Sequence, residues 1–268
     1  MCLIAFALHA DPRWPCVIAA NRDEAYARPT EALSRWTSDQ GLPVIGGRDA
    51  RDGGAWMAQS PGGRIAFLTN VRSGLPETGE RSRGQLPVAW LSGLSLAAWQ
   101  RANPAPAFAG CNIVLGDLQG GPWWWLTNRD PGGEPMREWQ VQTLGPGVYG
   151  LSNAGLATPW PKTQRLHTAL AQALALAPEQ ATLTHRLFAA LADDQRFADA
   201  DLPNTGVPKE AERALSSVFV HWPEHDYGTR TSTVVVVDAH GRSHWTERRW
   251  DAHAQPVGEV SLEVIQAT

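Results

Sequence analysis

Strand-forming runs stand at both ends of this 268-residue chain, with its clearest helices between them. That order constrains the fold more than any single motif. The apolar run Cys2 to Leu8 and the run Cys16 to Ala20 are joined through Asp11-Pro12-Arg13-Trp14-Pro15, whose turn formers predict a hairpin. At the other end, Thr231 to Val237 reads as a strand that turns at Asp238 to Gly241, returns through 243–250 and is followed by a last strand over 258–265. Between them, Leu166, Leu170 and Leu174 recur every four residues, as do Leu183, Leu187 and Leu191, predicting helices over 160–175 and 178–192. A helix is also expected over 84–101, and strands over 43–46, 55–59, 64–69, 111–115, 122–127, 137–143 and 147–151. Neither half holds a complete sheet alone, so the chain reads as one α+β domain spanning 1–268, its sheet mostly antiparallel.

Composition narrows the function. With 43% hydrophobic and 19% charged residues and a net charge of −4, the chain belongs with ordinary soluble globular proteins. No block of Lys or Arg forms a basic stripe, so nucleic acid is not an expected partner. The first apolar run lacks a basic leader region and meets Asp11-Pro12-Arg13 too soon for a signal peptide or membrane span. Cys2, Cys16 and Cys111 are odd in number and have no C-x-x-C spacing, so neither a disulfide framework nor a thiolate zinc site is suggested, and a reducing cytoplasm fits best. The 13 tryptophans, Trp123-Trp124-Trp125 among them, read first as bulky core residues and second as walls of an apolar pocket. His221-Trp222-Pro223-Glu224-His225 has the H-x-x-E-H form of a zinc peptidase, but that motif needs a helix and Pro223 interrupts one. The glycines of Gly46-Gly47-Arg48-Asp49 and Gly53-Gly54 lack nucleotide-binding spacing and read as tight loops, with Arg48 and Asp49 as substrate contacts. Neither a metal nor a redox cofactor is expected.

Cys2 carries the chemistry. Removal of Met1 would place a thiol, of ordinary pKa about 8.5, and an α-amine, of pKa about 7.7–8.0, on one residue, which is a nucleophile with its own base. The competing reading is a small apolar residue at the start of an edge strand. Asn21-Arg22-Asp23-Glu24 ends the second strand, and an antiparallel hairpin brings it to the start of the first. A carboxylate there would hold the new ammonium, and an arginine would lower the thiol pKa or bind a substrate carboxylate or phosphate. The alternative is a solvated turn with Asp23 as a helix cap.

These blocks, together with Gly53-Gly54-Ala55-Trp56, Leu68 to Arg72, Ser82-Arg83-Gly84, Asn112 to Asp117, Tyr149 to Ala154, Trp160-Pro161-Lys162 and Tyr227 to Thr233, resemble the NRDE family, which includes the transport and Golgi organization protein 2 homologues. The resemblance implies the four-layer αββα fold of amino-terminal-nucleophile hydrolases. Penicillin V acylase and bile salt hydrolase are more distant relatives whose catalytic pattern is similar to Cys2 as nucleophile, Asp23 as carboxylate, Asn70 at the oxyanion hole, Asn153 as second asparagine and Arg230 as late arginine. Those acylases carry an arginine three residues before the aspartate, where this chain has Ala20. Asn21, Arg22, Arg48 and Arg72 are expected to contact substrate. The leading expectation is a cytoplasmic cysteine hydrolase of a linear amide or related acyl bond, acting on a small molecule. Family links to haem trafficking and to lipid or acyl-CoA metabolism imply an alternative, a carrier of haem or acyl-CoA in which Cys2, His9 or tryptophans serve as ligands or walls. A third reading is a structural protein that has lost the chemistry.

Overall fold

The computed structural model describes residues 2–74 and 78–266. The amino-terminal hairpin is built from β1 (Cys2–Asp11) and β2 (Trp14–Ala25), followed by β3 (Thr30–Thr37), β4 (Pro43–Asp49), β5 (Met57–Gln59) and β6 (Arg64–Asn70). Helices α1 (Gln85–Trp90) and α2 (Leu96–Ala102) lead into β7 (Cys111–Asp117), β8 (Trp123–Arg129), β9 (Pro135–Leu144) and β10 (Gly147–Leu151). Next come α3 (Pro161–Leu176), α4 (Gln180–Leu191) and α5 (Lys209–Ala214), then β11 (His221–Trp222), β12 (Tyr227–Val237), β13 (Ser243–Trp250) and β14 (Pro256–Val264).

The strands form two antiparallel sheets. One runs β10-β1-β2-β12-β13-β14, with β11 added against β12; the other runs β3 to β9 in sequence order. Period-two alternation sorts the side chains of the first hairpin. Cys2, Ile4, Phe6 and Leu8 with Cys16, Ile18 and Ala20 face the second sheet and meet Phe67, Val114, Trp123 and Trp125. Leu3, Ala5 and Ala7 with Val17 and Ala19 face the leucine stripes of α3 and α4. On the far side, Leu86 and Trp90 of α1 and Trp99 of α2 cover the second sheet at Ala66, Ile113 and Leu126. The result is the expected α+β architecture in four layers, helix, sheet, sheet, helix. Each fully buried leucine of these stripes contributes about 1.5–3 kcal/mol.

Several elements differ from the sequence reading. The single helix over 84–101 is two: the chain breaks at Gly93, which has φ +87°, and restarts at Ser95, whose hydroxyl caps α2 by accepting from the Ala98 amide. β3 was not expected. It is an edge strand on which Leu33 is the one buried hydrophobic residue, so its alternation is weak in sequence. α5 carries Lys, two Glu and Arg in six residues and shows little apolar periodicity. The strand expected at 55–59 is confined to Met57–Gln59; the Ala55 amide before it donates to the Gly84 carbonyl at 3.0 Å instead of to a strand partner. The tryptophan run alternates as a strand must: Trp123 and Trp125 face the intersheet core, while Trp124 sits edge-on to Trp90 at 5.8 Å. The H-x-x-E-H segment is a short strand, β11, followed by a single 3₁₀ turn over Pro223–His225.

One buried carboxyl ties the sheets together. Glu247 of β13 accepts from the Leu33 amide of β3 at 2.8 Å and from Thr233 at 3.4 Å. Burial raises its pKa from 4.5 to about 7. A carboxyl titrating higher when folded favours the folded state fully below its unfolded pKa, and that favour is lost as pH rises through about 7. Glu247→Gln is therefore expected to remove about 3 kcal/mol of stability change between pH 4.5 and 7, measured as the difference between the two proteins in urea unfolding across that range.

Candidate active site

The hairpin register brings the expected nucleophile and carboxylate to one end of the first sheet. Cys2 pairs with Arg22, so Asp23 lies one residue beyond the partner of Cys2, where β1 begins. Cys2 and Asp23 both line a cleft of about 650 Å³ that also touches Arg22, Trp56 and Asn70. Its walls come from the end of β2, the loop after β4 and the turn around Arg81 to Gly84. The close approach of Gly54 to Gly84, sealed by the Ala55 amide donating to the Gly84 carbonyl at 3.0 Å, joins two of these walls.

Cys2 is 7% exposed at the cleft. Burial pushes its thiol up, Asp23 and Glu24 push it further, and Arg22 opposes them. The resting group is a thiol that needs a base. Asp23 is fully buried and Oδ1 accepts from the Thr229 hydroxyl at 2.8 Å, while the Tyr227 hydroxyl donates to its main-chain carbonyl at 2.8 Å. Burial raises the Asp23 carboxyl; the charges of Lys162 and Arg72 and the Thr229 hydrogen bond pull the other way.

Asn70 ends β6, half-buried, and its side-chain amide makes no hydrogen bond among the described residues. It is a donor left available in the cleft. Asn153 is buried and engaged: its Nδ2 donates to the Asn70 carbonyl at 2.9 Å, and its own carbonyl accepts from the Arg72 amide at 2.7 Å. It clamps the strand that presents Asn70. Arg22 is buried, with its guanidinium over Trp56 at 4.6 Å, bonded to Thr30 at 3.1 Å and within 3.4 Å of Asp49.

Other sequence-predicted site residues stand away from the cleft lining. Asn21 faces the helical layer, donating to the Leu191 and Val218 carbonyls and accepting from Ser232. Arg48 lies over Trp36 at 5.0 Å and near Asp39. Arg72 is buried in an ion pair with Glu212 at 2.5 Å, and Arg230 donates to the carbonyls of Ala25, Tyr26 and Arg28, fixing the turn after β2.

Three features escaped the sequence reading. Arg81 and Arg83 line the cleft, and neither meets an acidic side chain among the described residues; their guanidiniums bond carbonyls and amide side chains. Arg28, also at the cleft, links Asp49 at 2.6 Å to Asp52 at 2.7 Å. Lys162 in the first turn of α3 is 3% exposed, and burial drops its ammonium from 10.5 to about 7. The family block Trp160-Pro161-Lys162 contained the signal for the last.

A family model described as Transport and Golgi organisation 2 matches residues 1–252. The chain belongs to that family. The Transport and Golgi organization protein 2 homolog of Bos taurus is 33% identical over 273 residues, covering 92% of each chain. The human homolog is 31% identical over 272 residues, again covering 92% of each, and the Drosophila melanogaster protein is 28% identical over a similar span. Among solved structures, a mutant of the conjugated bile acid hydrolase from Clostridium perfringens superposes with TM-score 0.52 at 9% identity, covering 98% of this chain and 92% of that one. This member of the Transport and Golgi organisation 2 family thus has the fold of amino-terminal-nucleophile hydrolases. No helix among the described residues is long and apolar enough to cross a membrane.

Proposed function

We propose that this protein is a cysteine hydrolase that opens an amide or related acyl bond of a small molecule through an acyl-enzyme on Cys2. The observation that carries the reading is the meeting of Cys2, Asp23 and the unengaged amide of Asn70 at one cleft. In the processed chain, the Cys2 α-amine takes the thiol proton and the sulfur attacks the substrate carbonyl carbon. The C–S bond forms, the carbonyl electrons move to oxygen, and Asn70 donates to the resulting oxyanion. Collapse expels the leaving group, which takes the proton from the ammonium. Water then hydrolyses the thioester and restores the thiol. Asp23, one residue beyond the Cys2 partner, supplies the counter-charge to the ammonium. Arg22 takes the place along β2 that faces Cys2, so it can balance charge although Ala20 stands at the relatives' arginine position.

The cleft favours a substrate with an anionic group. Arg81 and Arg83 bring positive charge to the cleft without carboxylate partners among the described residues, whereas Arg22 and Arg28 are both held by Asp49. Such unneutralised guanidiniums bind carboxylate or phosphate oxygens in a fork geometry. A panel of acyl esters, thioesters and amides, each with and without a carboxylate on the leaving group, tests both points. Turnover is expected with lower KM for the anionic members. Arg83→Met should erase about 10-fold of that KM advantage while leaving neutral members unchanged. Absence of turnover on every member would count against the hydrolytic reading.

A further inference from the structure

The cleft that holds Cys2 carries charged side chains on each of its walls. We propose that its substrate is hydrophilic along its whole length, a compound whose acyl part is short or itself polar, and that a long aliphatic acyl chain gains nothing there. The proposal takes the reaction from the hydrolytic reading above and adds the substrate class.

The three walls place the charge. The end of β2 brings Glu24, half-buried, and the turn after it brings Arg28. The loop after β4 adds Arg51 and Asp52, whose side chains are 70% and 38% exposed. The turn before α1 adds Arg81 and Arg83, both half-buried. Whichever way a substrate lies across Cys2, its acyl part and its leaving group both run against charged groups.

The apolar residues at the cleft are already engaged in the protein's own packing. Ala55, Trp56, Leu68 and Ala109 are each no more than 8% exposed. Ala55 and Leu68 belong to the cluster under α1, with Leu86 and Trp99. The Trp56 ring receives the Arg22 guanidinium over its face at 4.6 Å, and its rim lies against Gly47, where a Cβ would come within 2.2 Å of Cη2. Among the described residues, no apolar side chain offers the cleft a broad exposed face.

That arrangement decides how an acyl chain is received. A methylene gains affinity by leaving water only where apolar surface takes it in, on the order of 4-fold for each one buried. Laid over guanidinium and carboxylate groups, the same chain displaces their water and returns no hydrogen bond. Each added methylene therefore brings nothing or weakens binding. A polar acyl part finds partners instead. Arg83 donates through Nη1 to the Gly110 carbonyl at 3.1 Å, and among the described residues the rest of its fork makes no hydrogen bond.

The test is a chain-length series. Calorimetry measures N-acyl glutamates carrying acetyl, butanoyl, octanoyl and dodecanoyl groups against Cys2→Ala, which lacks the nucleophile that would consume them. Circular dichroism verifies folding, and Cys2→Ser takes its place if the alanine variant fails to fold. The dissociation constant is expected to stay level or rise from acetyl to dodecanoyl. A fall of more than about 10-fold along the series overturns the proposal, because it is the mark of an apolar wall. Absence of binding by every member at millimolar concentration overturns it too. Wild-type turnover of the same compounds is read separately. Level binding without turnover keeps the polar site and counts against hydrolysis, whereas turnover with binding that tightens along the chain keeps hydrolysis and removes the polar substrate.

Discussion

Cys2→Ala is expected to lower acyl-bond turnover by on the order of 10⁶ while leaving the fold intact, because loss of a nucleophile removes the covalent route and not merely a contact. The fold should tolerate the change. Cys2 contributes one sulfur at the rim of an intersheet core built from larger side chains such as Phe6, Phe67 and Trp125. Its backbone pairing with Arg22 does not depend on the side chain. Thermal unfolding within a few degrees of wild type, with turnover lost, is the expected combination; the size of that melting change follows from a cost of about 1 kcal/mol or less. Retained turnover in Cys2→Ala would move the nucleophile elsewhere. Cys2→Ser is expected to fall between, since its hydroxyl keeps the geometry but gives up protons far less readily than a thiol.

Asn70→Ala should reduce kcat by about 10²–10³, with little change in KM, the signature of a donor used chiefly when charge develops on the carbonyl oxygen. The separation from folding is argued from geometry. The Asn70 side-chain amide has no hydrogen bond among the described residues, so its removal breaks none there, whereas Asn153→Ala would release the 2.9 Å clamp on the Asn70 main chain. The second variant is expected to lose stability by about 1 kcal/mol as well as turnover. A kcat loss in Asn70→Ala matched by an equal stability loss would mark it as structural.

Much of this architecture was legible because it is written in short-range periodicity. The leucine spacing in α3 and α4 and the alternation in β1, β2 and β12 name their buried faces directly. What sequence could not supply was where those faces lead. Asn21 and Asp23 are two residues apart on one face, yet the first is consumed by carbonyls of Leu191 and Val218 and the second lines the cleft. Arg72 and Arg230 looked like substrate or catalytic groups, but their partners, Glu212 and the carbonyls after β2, are at least 140 residues distant. Lys162 lay in a recognised block without a role, because its burial is not written in the spacing around it. The edge strand β3 and the Gly93 break were missed for the converse reason: little apolar surface depends on them, so little pattern records them.

The central claim is an acyl-enzyme on the amino-terminal residue. Intact-mass spectrometry of the protein, quenched in acid during incubation with an anionic acyl thioester, tests it most directly. The account predicts a chain lacking Met1 and carrying one acyl group, absent from Cys2→Ala. A chain that keeps Met1 and takes up no acyl group under any substrate of the panel would contradict it.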